Sequence, residues 1–245
     1  AIAKSSFGFC NVVFGWDSSD ACYDNASYTG WHSGYPDALA KVDFNTYRKV
    51  PWDGDIPFFL ADFVDNDGKA LAVCPRQLLK KICDEATAAG FFPFFSQEFE
   101  WFNFRESSES FAQKGFQNPQ TLSEGMFWYS VLSASQNGGF FNEIFDLLLK
   151  FNVPIEGLHT ETGPGVYEAA ILYDEVLEAA DRAVLFKSST KEIGHRHGIM
   201  PSFMAKWNSN LPGCSGHLHQ SLWDKDKKKN LFFAANDPHK MSPLM

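Results

Sequence analysis

The sequence has little of what nucleic-acid-binding, membrane-spanning and disulfide-rich proteins require. Its 21 Lys and Arg residues against 30 Asp and Glu give a formal net charge of −9. This balance argues against a nucleic acid or an anionic membrane as the main partner, because both attract basic surfaces. We expect no secretory signal at Ala1, and no apolar run reaches the roughly 18 residues of a membrane helix. The five cysteines lack a CxxC pair, which favours reduced thiols in a cytoplasmic protein over disulfides or a zinc site.

The chain does have enough apolar sequence for a sizeable core. Hydrophobic residues make up 44% of its 245 residues, and 25 residues are Phe. Wholesale disorder is therefore excluded, and one large domain or two modest ones are expected. The sequence opens in a strand-like stretch without an initiator Met and stops at Met245 after a loop-like segment. We expect an internal fragment or an incomplete chain.

The pattern of apolar residues changes at residues 74–76, which predicts a domain boundary there. Before the boundary, residues 7–14 and 39–73 have the pattern of short strands broken by turns. The clearest turn is Asp65–Gly68, which predicts a hairpin. The part of the chain before the boundary is therefore expected to be rich in sheet.

Helices and strands alternate beyond the boundary. A helix opened by Pro75 and ended by Gly90 is predicted from an apolar stripe of helical spacing. The stripe consists of Leu78, Leu79, Ile82 and Ala86. The other predicted elements are an aromatic strand at Phe91–Phe104, a polar loop at Arg105–Gly125, a helix at 142–151, a hairpin around 163–165, a helix from near Tyr173 to about His197, and strands at 201–206 and 216–223. This pattern indicates an α+β fold with antiparallel sheet.

Two carboxylates stand side by side in the aromatic strand. Residues two apart in a strand share a face, so Glu98 and Glu100 point together while Phe99 and Trp101 point the opposite way. Two such carboxylates repel each other unless a cation or a proton lies between them. Taken alone, the segment is compatible with a metal site or with an edge strand whose glutamates face water.

Two further strand segments present side chains of the same kind. A Gly-Pro-Gly turn at residues 163–165 can fold the chain back and bring Glu161 near Glu168 on paired strands. His217 and His219 share one strand face beside a glycine-rich stretch. An oxygen-rich cluster with one or two imidazoles suits Mg²⁺ or Mn²⁺ better than zinc. Two such ions are typical of phosphoryl transfer or hydrolysis.

These three segments, in this order and at these separations, resemble the glutamine synthetase family. The segments are Glu98–Glu100, His159–Glu168 and Gly213–Ser221. The resemblance is to the class I-like branch, which also includes γ-glutamyl-amine ligases and the lens protein lengsin, and it runs from Phe14 through Trp223. It implies a small β-grasp-like N-terminal domain at residues 1–74. It also implies, at residues 75–245, part of the antiparallel-sheet catalytic domain, incomplete at its C-terminus.

Position by position, the resemblance implies roles for particular side chains. Ligands of a first metal, on the glutamate side, are Glu100, Glu161 and Glu168. Ligands of a second metal, which holds the ATP phosphates, are Glu98 and His217. Residues at the nucleotide are Glu156, Tyr173, His219 and Ser221, with Tyr173 stacking near the adenine. Gly213 matches a backbone position beside bound glutamate, and Asp17 matches the acid that the N-terminal domain offers to a neighbouring subunit's ammonium site.

The activity that the resemblance implies is ligation of ammonia to L-glutamate with ATP as co-substrate. ATP would convert the γ-carboxylate to γ-glutamyl phosphate, with two or more Mg²⁺ or Mn²⁺ ions neutralising charge, and ammonia would then displace phosphate to give glutamine. Asp17 or Glu161 would take the proton that turns ammonium into nucleophilic ammonia. Active sites shared between subunits imply a homo-oligomeric ring. Neither a nucleic acid nor a membrane is expected as a partner, and the expected location is cytoplasmic.

The sequence departs from the family in two respects. Val166 stands where glutamine synthetases commonly have Gln, and the remaining second-metal ligand and the substrate-binding arginines lie beyond the family equivalent of Met245. A piece of this length is therefore not expected to be active alone. Two alternatives to a glutamate–ammonia ligase remain. One is a γ-glutamyl-amine ligase with a wider, less anionic amine pocket, and the other is a non-catalytic, lengsin-like assembly protein.

Overall fold

A computed structural model describes residues 6–23, 27–126 and 128–245. The chain divides into two units. The first comprises Ala1–Lys49 and Ile56–Glu85, and the second comprises Val50–Asp55 and Ala86–Met245. The short segment Val50–Asp55 thus groups with the second unit, although the flanking sequence belongs to the first.

The first unit is built on a three-stranded sheet in the order β1-β2-β3. Its strands are β1 (Ser6–Cys10), β2 (Asp37–Val50) and β3 (Ile56–Val64). The strand predicted at residues 7–14 is too long, because Asn11–Phe14 forms a 3₁₀ turn. Asn11 is buried there, and its side-chain oxygen accepts a hydrogen bond from the Thr29 hydroxyl (2.7 Å). The chain therefore leaves the sheet at Asn11, where the side chain is hydrogen-bonded to Thr29.

The turn predicted at Asp65–Gly68 is confirmed, whereas the predicted hairpin is reduced to an isolated bridge between Val64 and Ala70. Gly68 adopts a positive φ of 78°, which glycine reaches without steric cost. One oxygen of the Asp65 carboxylate accepts hydrogen bonds from the backbone N–H groups of Asp67 (2.9 Å) and Lys69 (2.8 Å). The aspartate therefore acts as a turn former by bonding to its own backbone.

The helix predicted after the boundary is confirmed as α1 (Pro75–Ala88), but its apolar stripe is not buried. Leu78 and Ile82 of the stripe are 55% and 49% exposed. Charged contacts tie the helix to the sheet instead. The ion pairs join Arg76 and Lys80 of α1 to Asp43 and Asp62 of the strands. Periodicity therefore predicted the helix correctly, and it carried no information about which face of the helix is covered.

The second unit contains a six-stranded antiparallel sheet centred on its longest strand, β4. Its strands are β4 (Phe92–Phe104), β5 (Ile155–Thr160), β6 (Val166–Ile171), β7 (Asp174–Glu175), β8 (Met200–Ser202) and β9 (Gly216–Trp223). One side of β4 pairs with β6 and β7, and the other side pairs with β8 and β9. Because β4 is central, the edge-strand alternative for Glu98 and Glu100 is wrong. The predicted α+β class with antiparallel sheet is confirmed.

The helices that follow α1 differ in part from the prediction. They are α2 (Ser108–Gln113), α3 (Val131–Gln136), α4 (Gly138–Lys150) and α5 (Val176–Arg196). The segment Arg105–Gly125 is not wholly a loop, because Ser107 caps α2 by accepting a hydrogen bond from the Ser110 N–H (3.1 Å). The helix predicted at 142–151 begins earlier, at Gly138. Among the described residues, no helix has both the length and the apolar character to span a bilayer.

Two predicted strands of this sheet also have clear outcomes. The strand at Gly216–Trp223 is confirmed as β9. The strand predicted at residues 201–206 ends at Ser202. The Ala205 carbonyl lies outside the β4 ladder and accepts a hydrogen bond from the Cys214 N–H (2.8 Å). That contact turns the chain away from β4 before the predicted end of the strand.

One face of β4 packs against α5 and forms the core of the second unit. Trp101 is fully buried and meets the ring of Phe186 on α5 edge-on, with centroids 5.5 Å apart. Phe99 stacks on the same ring at 5.7 Å. Because side chains alternate along a strand, this packing fixes Glu98 and Glu100 on the opposite face.

The segment that follows β4 contains a buried carboxylate, that of Glu106. Glu106 is only 3% exposed. Its oxygens accept hydrogen bonds from the Lys114 ammonium, the Ser110 hydroxyl (2.5 Å) and the Gln120 backbone N–H (2.8 Å). Together these contacts lower the pKa of Glu106 to about 2, and the hydrogen bond from Lys114 has the largest effect. The fold therefore stabilises the ionised carboxylate.

Glu106→Gln is expected to lower the free energy of unfolding by about 2 kcal/mol at pH 7, because buried hydrogen bonds to a charged group are lost. The folded pKa lies below the ordinary value of about 4.3, so the stabilisation is complete above that value and is lost as the pH falls towards 2. In thermal unfolding between pH 7 and pH 3, the difference in unfolding free energy between wild type and variant should become smaller below about pH 4. Glu109→Gln, at an exposed position of α2, is the control. A gap that stays constant down to pH 3 would contradict the assignment.

Candidate functional site

The polar face of the β4 sheet gathers acidic and imidazole side chains in rows across the strands. Glu100 of β4 lies directly opposite Glu168 of β6, and Glu168 in turn lies opposite His159 of β5. Two residues earlier on β4, Glu98 lies opposite His217 of β9. The Cβ atoms of directly opposite residues are about 4.5–5.5 Å apart. The register of the sheet therefore brings these groups together.

The Glu161 carboxylate is held just beyond the end of β5. Its backbone N–H donates to the Val166 carbonyl (2.9 Å), which closes the β5–β6 hairpin as predicted. The Thr162 N–H and hydroxyl both donate to Glu161 Oε1, each at 2.8 Å. One potential ligand atom from each of His159, Glu161 and Glu168 lies within 4.8 Å of the others. The predicted approach of Glu161 to Glu168 is confirmed.

Negative charge accumulates at this partly buried place. Burial, followed by the charge of Glu98, raises the pKa of the Glu168 carboxyl. The charge of Glu161 likewise raises the pKa of the Tyr129 phenol. Neighbouring carboxylates contribute to both shifts, and a divalent cation bound among them would balance their charge.

Glu98 also lies close to two imidazoles of β9. Its Oε2 is 3.4 Å from His219 Nε2, and its Oε1 is 3.9 Å from His217 Nε2. The resemblance predicts a metal ligand at His217 and a nucleotide contact at His219. Both rings border the same carboxylate, so the predicted metal and nucleotide residues adjoin at Glu98.

The loop before β9 holds the Glu100 carboxylate. Glu100 accepts hydrogen bonds from the Ser215 N–H (3.1 Å) and from the Ser215 hydroxyl. The same hydroxyl oxygen lies 3.2 Å from His217 Nε2. Ser215 therefore orients one predicted ligand of each metal.

The predicted nucleotide residues of β9 continue away from the metal ligands. His217, His219 and Ser221 alternate and share one face, and at the usual strand rise Ser221 lies about 13 Å from His217. Ser221 is opposite Phe94 of β4. The ring of Tyr173 meets Phe94 edge-on, with centroids 6.0 Å apart. Tyr173 and Ser221 therefore lie at the same end of β4.

Two other predicted residues of this unit have local features of their own. A Cβ added at Gly213 would approach the Ala205 carbonyl oxygen to 2.6 Å, so contact with its own chain already requires glycine there. Glu156 is exposed at an irregularity in the pairing of β5 with β6. The glutamate contact of Gly213 and the nucleotide contact of Glu156 stay predictions.

Asp17 belongs to the first unit, where its carboxylate shapes a turn. Asp17 Oδ1 accepts hydrogen bonds from the Ser19 N–H (2.8 Å) and the Ala21 N–H (3.1 Å). The Asp17 N–H donates to the Ala21 carbonyl (3.1 Å). The predicted role of this acid in a neighbouring subunit's ammonium site stays a prediction.

Three side chains at the cluster were not assigned roles from the sequence: His159, Tyr129 and Ser215. The spacing of two between His159 and Glu161 on a strand was a signal that could have placed the histidine on the same face. Tyr129 reaches the cluster because its N–H donates to the Thr160 carbonyl (2.8 Å). No sequence pattern near Tyr129 predicts this hydrogen bond, because it joins segments that are far apart in the chain.

The donor set fits the metals that the sequence predicts. Carboxylate oxygens predominate, and these are the ligands that Mg²⁺ and Mn²⁺ prefer. The neighbouring Cys214 is poorly suited as a soft ligand, because burial raises the pKa of its thiol to about 12 and keeps it protonated. The cluster therefore favours Mg²⁺ or Mn²⁺ over zinc.

Known proteins resemble the chain over nearly its full length. Residues 72–245 match the model of the glutamine synthetase catalytic domain. Type-1 glutamine synthetase 2 of Dictyostelium discoideum is 52% identical over 241 residues, which cover 98% of this chain and 46% of that protein. The glutamate–isopropylamine ligase of a Pseudomonas species is 35% identical over 214 residues, which cover 87% of this chain and 47% of that protein.

The fold is shared with solved structures. A crystal structure described as a novel glutamine synthase homolog matches with a TM-score of 0.79 at 20% identity, covering 97% of this chain and 53% of that one. The chain spans about half the length of these relatives. Because the catalytic-domain model matches most of the sequence, the chain belongs to the glutamine synthetase family.

Proposed function

We propose that the protein containing this chain ligates ammonia to L-glutamate. ATP phosphorylates the γ-carboxylate to γ-glutamyl phosphate, ammonia attacks the acyl carbon, and glutamine, ADP and phosphate leave. The observation that carries the proposal is the grouping of carboxylates and imidazoles across β5, β6, β4 and β9, in a chain of this family. The activity belongs to the whole protein, since the chain spans about half the length of its relatives.

The proposed metal ligands are those on the polar face of β4. Glu100, Glu161 and Glu168 are assigned to one divalent ion, and Glu98 and His217 are assigned to a second. Mg²⁺ or Mn²⁺ bound there would neutralise the charge of the transferred phosphoryl group. Hydrogen bonds from neighbouring side chains, such as that of Ser215 to Glu100, hold the carboxylates in place for this role.

The order of side chains from Tyr173 through Ser221 to His219 supports binding of ATP in an extended conformation along β9. Tyr173 is 59% exposed, so its ring is accessible for stacking with the adenine. Ser221 and then His219 follow towards Glu98 and offer hydrogen bonds along the way. The base-to-phosphate order of ATP matches this sequence of groups, and Glu156 is proposed to contact the nucleotide as well.

The proposed ammonium site combines Glu161 with Asp17 from a neighbouring subunit. An ammonium ion needs negative charge for capture and a base for deprotonation, and the Glu161 side also carries the Tyr129 phenol. Glutamate is proposed to bind beside Gly213. Sharing of sites implies a homo-oligomeric ring. Exposed aromatic side chains of the first unit support association, with Trp16 at 44% and Trp31 at 77% exposure.

Steady-state turnover of the full-length protein tests the proposal. With L-glutamate, ATP and Mg²⁺ or Mn²⁺, we expect glutamine and phosphate to form, with kcat/KM for ammonium about tenfold or more above that for isopropylamine or ethanolamine. Chelation of the metal should stop turnover, and added metal should restore it. Absence of ATP cleavage with every acceptor would contradict the proposal and favour a non-catalytic, lengsin-like assembly protein.

A cavity beside the acidic cluster favours a γ-glutamyl-amine ligase as the second candidate. The cavity has a volume of about 570 Å³ and is bordered by Tyr129 and His159 and by the apolar Val131, Phe141 and Leu158. Such a volume accommodates a small organic substituent on the attacking nitrogen. The relative from Pseudomonas, a glutamate–isopropylamine ligase, agrees with this candidate. A higher kcat/KM with an amine than with ammonium would select it.

A further inference from the structure

Trp223 is the last side chain in the β9 row that carries the proposed nucleotide contacts. Residues two apart on a strand share a face, so Trp223 lies on the same face as Ser221 and His219. Its indole Nε1–H donates a hydrogen bond to Ser221 Oγ (3.0 Å). A residue with no role assigned from the sequence is therefore bonded directly to a proposed nucleotide residue.

This hydrogen bond determines what the Ser221 hydroxyl can offer to a ligand. An indole N–H is only a donor, whereas a serine hydroxyl has one donor hydrogen and two acceptor lone pairs. Ser221 Oγ accepts from Trp223, so its own hydrogen is directed to another group. Among the described residues, no acceptor bonds to that hydrogen. Ser221 can therefore donate to an acceptor atom of a bound molecule.

The indole that orients Ser221 is itself held by β4. Trp223 lies opposite Phe92 in the sheet, and its ring meets the ring of Phe94 edge-on, with centroids 6.1 Å apart. An isolated bridge pairs Trp223 with Asn230 as well. The orientation of the Ser221 hydroxyl is thus selected before a ligand binds, which reduces the entropy lost on binding.

Ser221 lies at the base end of the nucleotide in the proposed arrangement. It is opposite Phe94, and the ring of Phe94 also contacts Tyr173, the residue proposed to stack on adenine. The phosphates are assigned to the other end of the row, about 13 Å away near His217. Adenine has ring nitrogens that accept hydrogen bonds, and one of these suits the Ser221 hydroxyl.

We propose that Trp223 is a positioning residue that makes Ser221 the hydrogen-bond donor to a ring nitrogen of adenine. The proposal rests on the proposed function, because it takes the contact between Ser221 and the nucleotide from it. Without the indole N–H, the Ser221 hydroxyl is free to rotate away from the base. The affinity for an adenine nucleotide should then fall, while the groups near His217 keep theirs for metal.

The direct test is calorimetric binding of ADP, with Mg²⁺ present, to the full-length protein and to its Trp223→Phe variant. Phenylalanine keeps an aromatic ring but lacks the N–H, so we expect the affinity to fall about three- to tenfold, as for loss of one neutral hydrogen bond. Trp207→Phe is the matched control. Trp207 is also partly buried, and its Nε1 has no hydrogen-bond partner among the described residues, so its replacement should leave the affinity within about twofold of wild type.

The variant Ser221→Ala shows whether Trp223 acts through the serine. Trp223 has no hydroxyl left to orient in that background, so Trp223→Phe/Ser221→Ala should bind ADP as Ser221→Ala alone does. Additive losses would overturn the proposal, because Trp223 would then act on the nucleotide or the fold independently of Ser221. A fall in Mn²⁺ affinity in Trp223→Phe, measured without nucleotide, would overturn it too, because the substitution would then disturb the sheet generally.

Analogues of ADP in which carbon replaces N1, N3 or N7 of adenine identify the acceptor. One of them should bind wild type about as weakly as ADP binds Ser221→Ala, and Trp223→Phe should not weaken its binding further. Full affinity of wild type for all three analogues would overturn the assignment of Ser221 as a donor to the base.

Nucleotide binding also separates this proposal from the proposed function. Wild-type protein that binds ADP and responds to Trp223→Phe as expected, but forms no glutamine, would contradict the proposed function alone. Wild-type protein that forms glutamine, together with an unchanged ADP affinity in Trp223→Phe, would overturn this proposal alone.

Discussion

In the full-length protein, Glu100→Ala is expected to lower both glutamine formation and glutamate-dependent ATP cleavage at least about 100-fold. The substitution removes a proposed ligand of the first metal and leaves the Ser215 donors without their acceptor. In the proposed reaction the metal acts in phosphoryl transfer, which precedes attack by ammonia, so both steps should fail together. Rates of both reactions and the Mn²⁺ dissociation constant are the quantities to measure.

Ser215→Ala distinguishes the effect of losing the Glu100 metal ligand from the effect of losing the group that orients it. It keeps the Glu100 carboxylate but removes the hydroxyl that donates to it, so an intermediate loss of about tenfold is expected. Glu109→Ala, at an exposed site on α2, serves as the control for removing a glutamate. Turnover and Mn²⁺ binding within about threefold of wild type in Glu100→Ala would exclude Glu100 as a ligand.

Asp17→Asn is expected to lower kcat/KM for ammonium about 100-fold or more while ammonium-independent ATP cleavage and Mn²⁺ binding survive. Asparagine retains the Oδ1 acceptor for the N–H groups of Ser19 and Ala21, so the turn is preserved and only the charge is lost. Capture of a cation and removal of its proton need that charge. Phosphorylation of glutamate needs neither.

Steady-state rates against ammonium concentration, with metal binding measured in parallel, decide the role of Asp17. Asp20→Asn is a matched control in the same loop, because Asp20 is exposed and has a positive φ of 60° that asparagine also tolerates. An unchanged ammonium dependence in Asp17→Asn would make Asp17 a turn residue only. The amine-ligase and non-catalytic alternatives would then gain support.

Local periodicity predicted the parts of the fold that depend on neighbouring residues. The alternation of Glu98 and Glu100 with Phe99 and Trp101 is a property of one strand, and it was read correctly. The Asp65–Gly68 turn is also local, since its hydrogen bonds join residues two to four apart. Such features need no knowledge of what lies across the sheet.

Contacts between distant segments account for what the sequence did not predict. The exposure of Leu78 and Ile82 could not be inferred from spacing, because a helical stripe does not show what covers it. Tyr129 reaches Glu161 only because its backbone bonds to Thr160, 31 residues later. The roles of His217 and Glu98 came from a resemblance, whereas their direct opposition depends on the pairing of β9 with β4.

The alternation along β4 has a consequence for how related genes can differ in length. Inserting or deleting one codon between Glu98 and Trp101 would shift the register of the rest of the strand by one residue. Each side chain beyond that point would then move to the opposite face of the sheet, so that carboxylates and aromatic rings would change places. Neither face could absorb that exchange, since one packs on α5 and the other carries the charges. Gaps in alignments of functional relatives should therefore fall in connections such as residues 224–230. A gap inside β4 would indicate a misalignment or a descendant that has lost the chemistry.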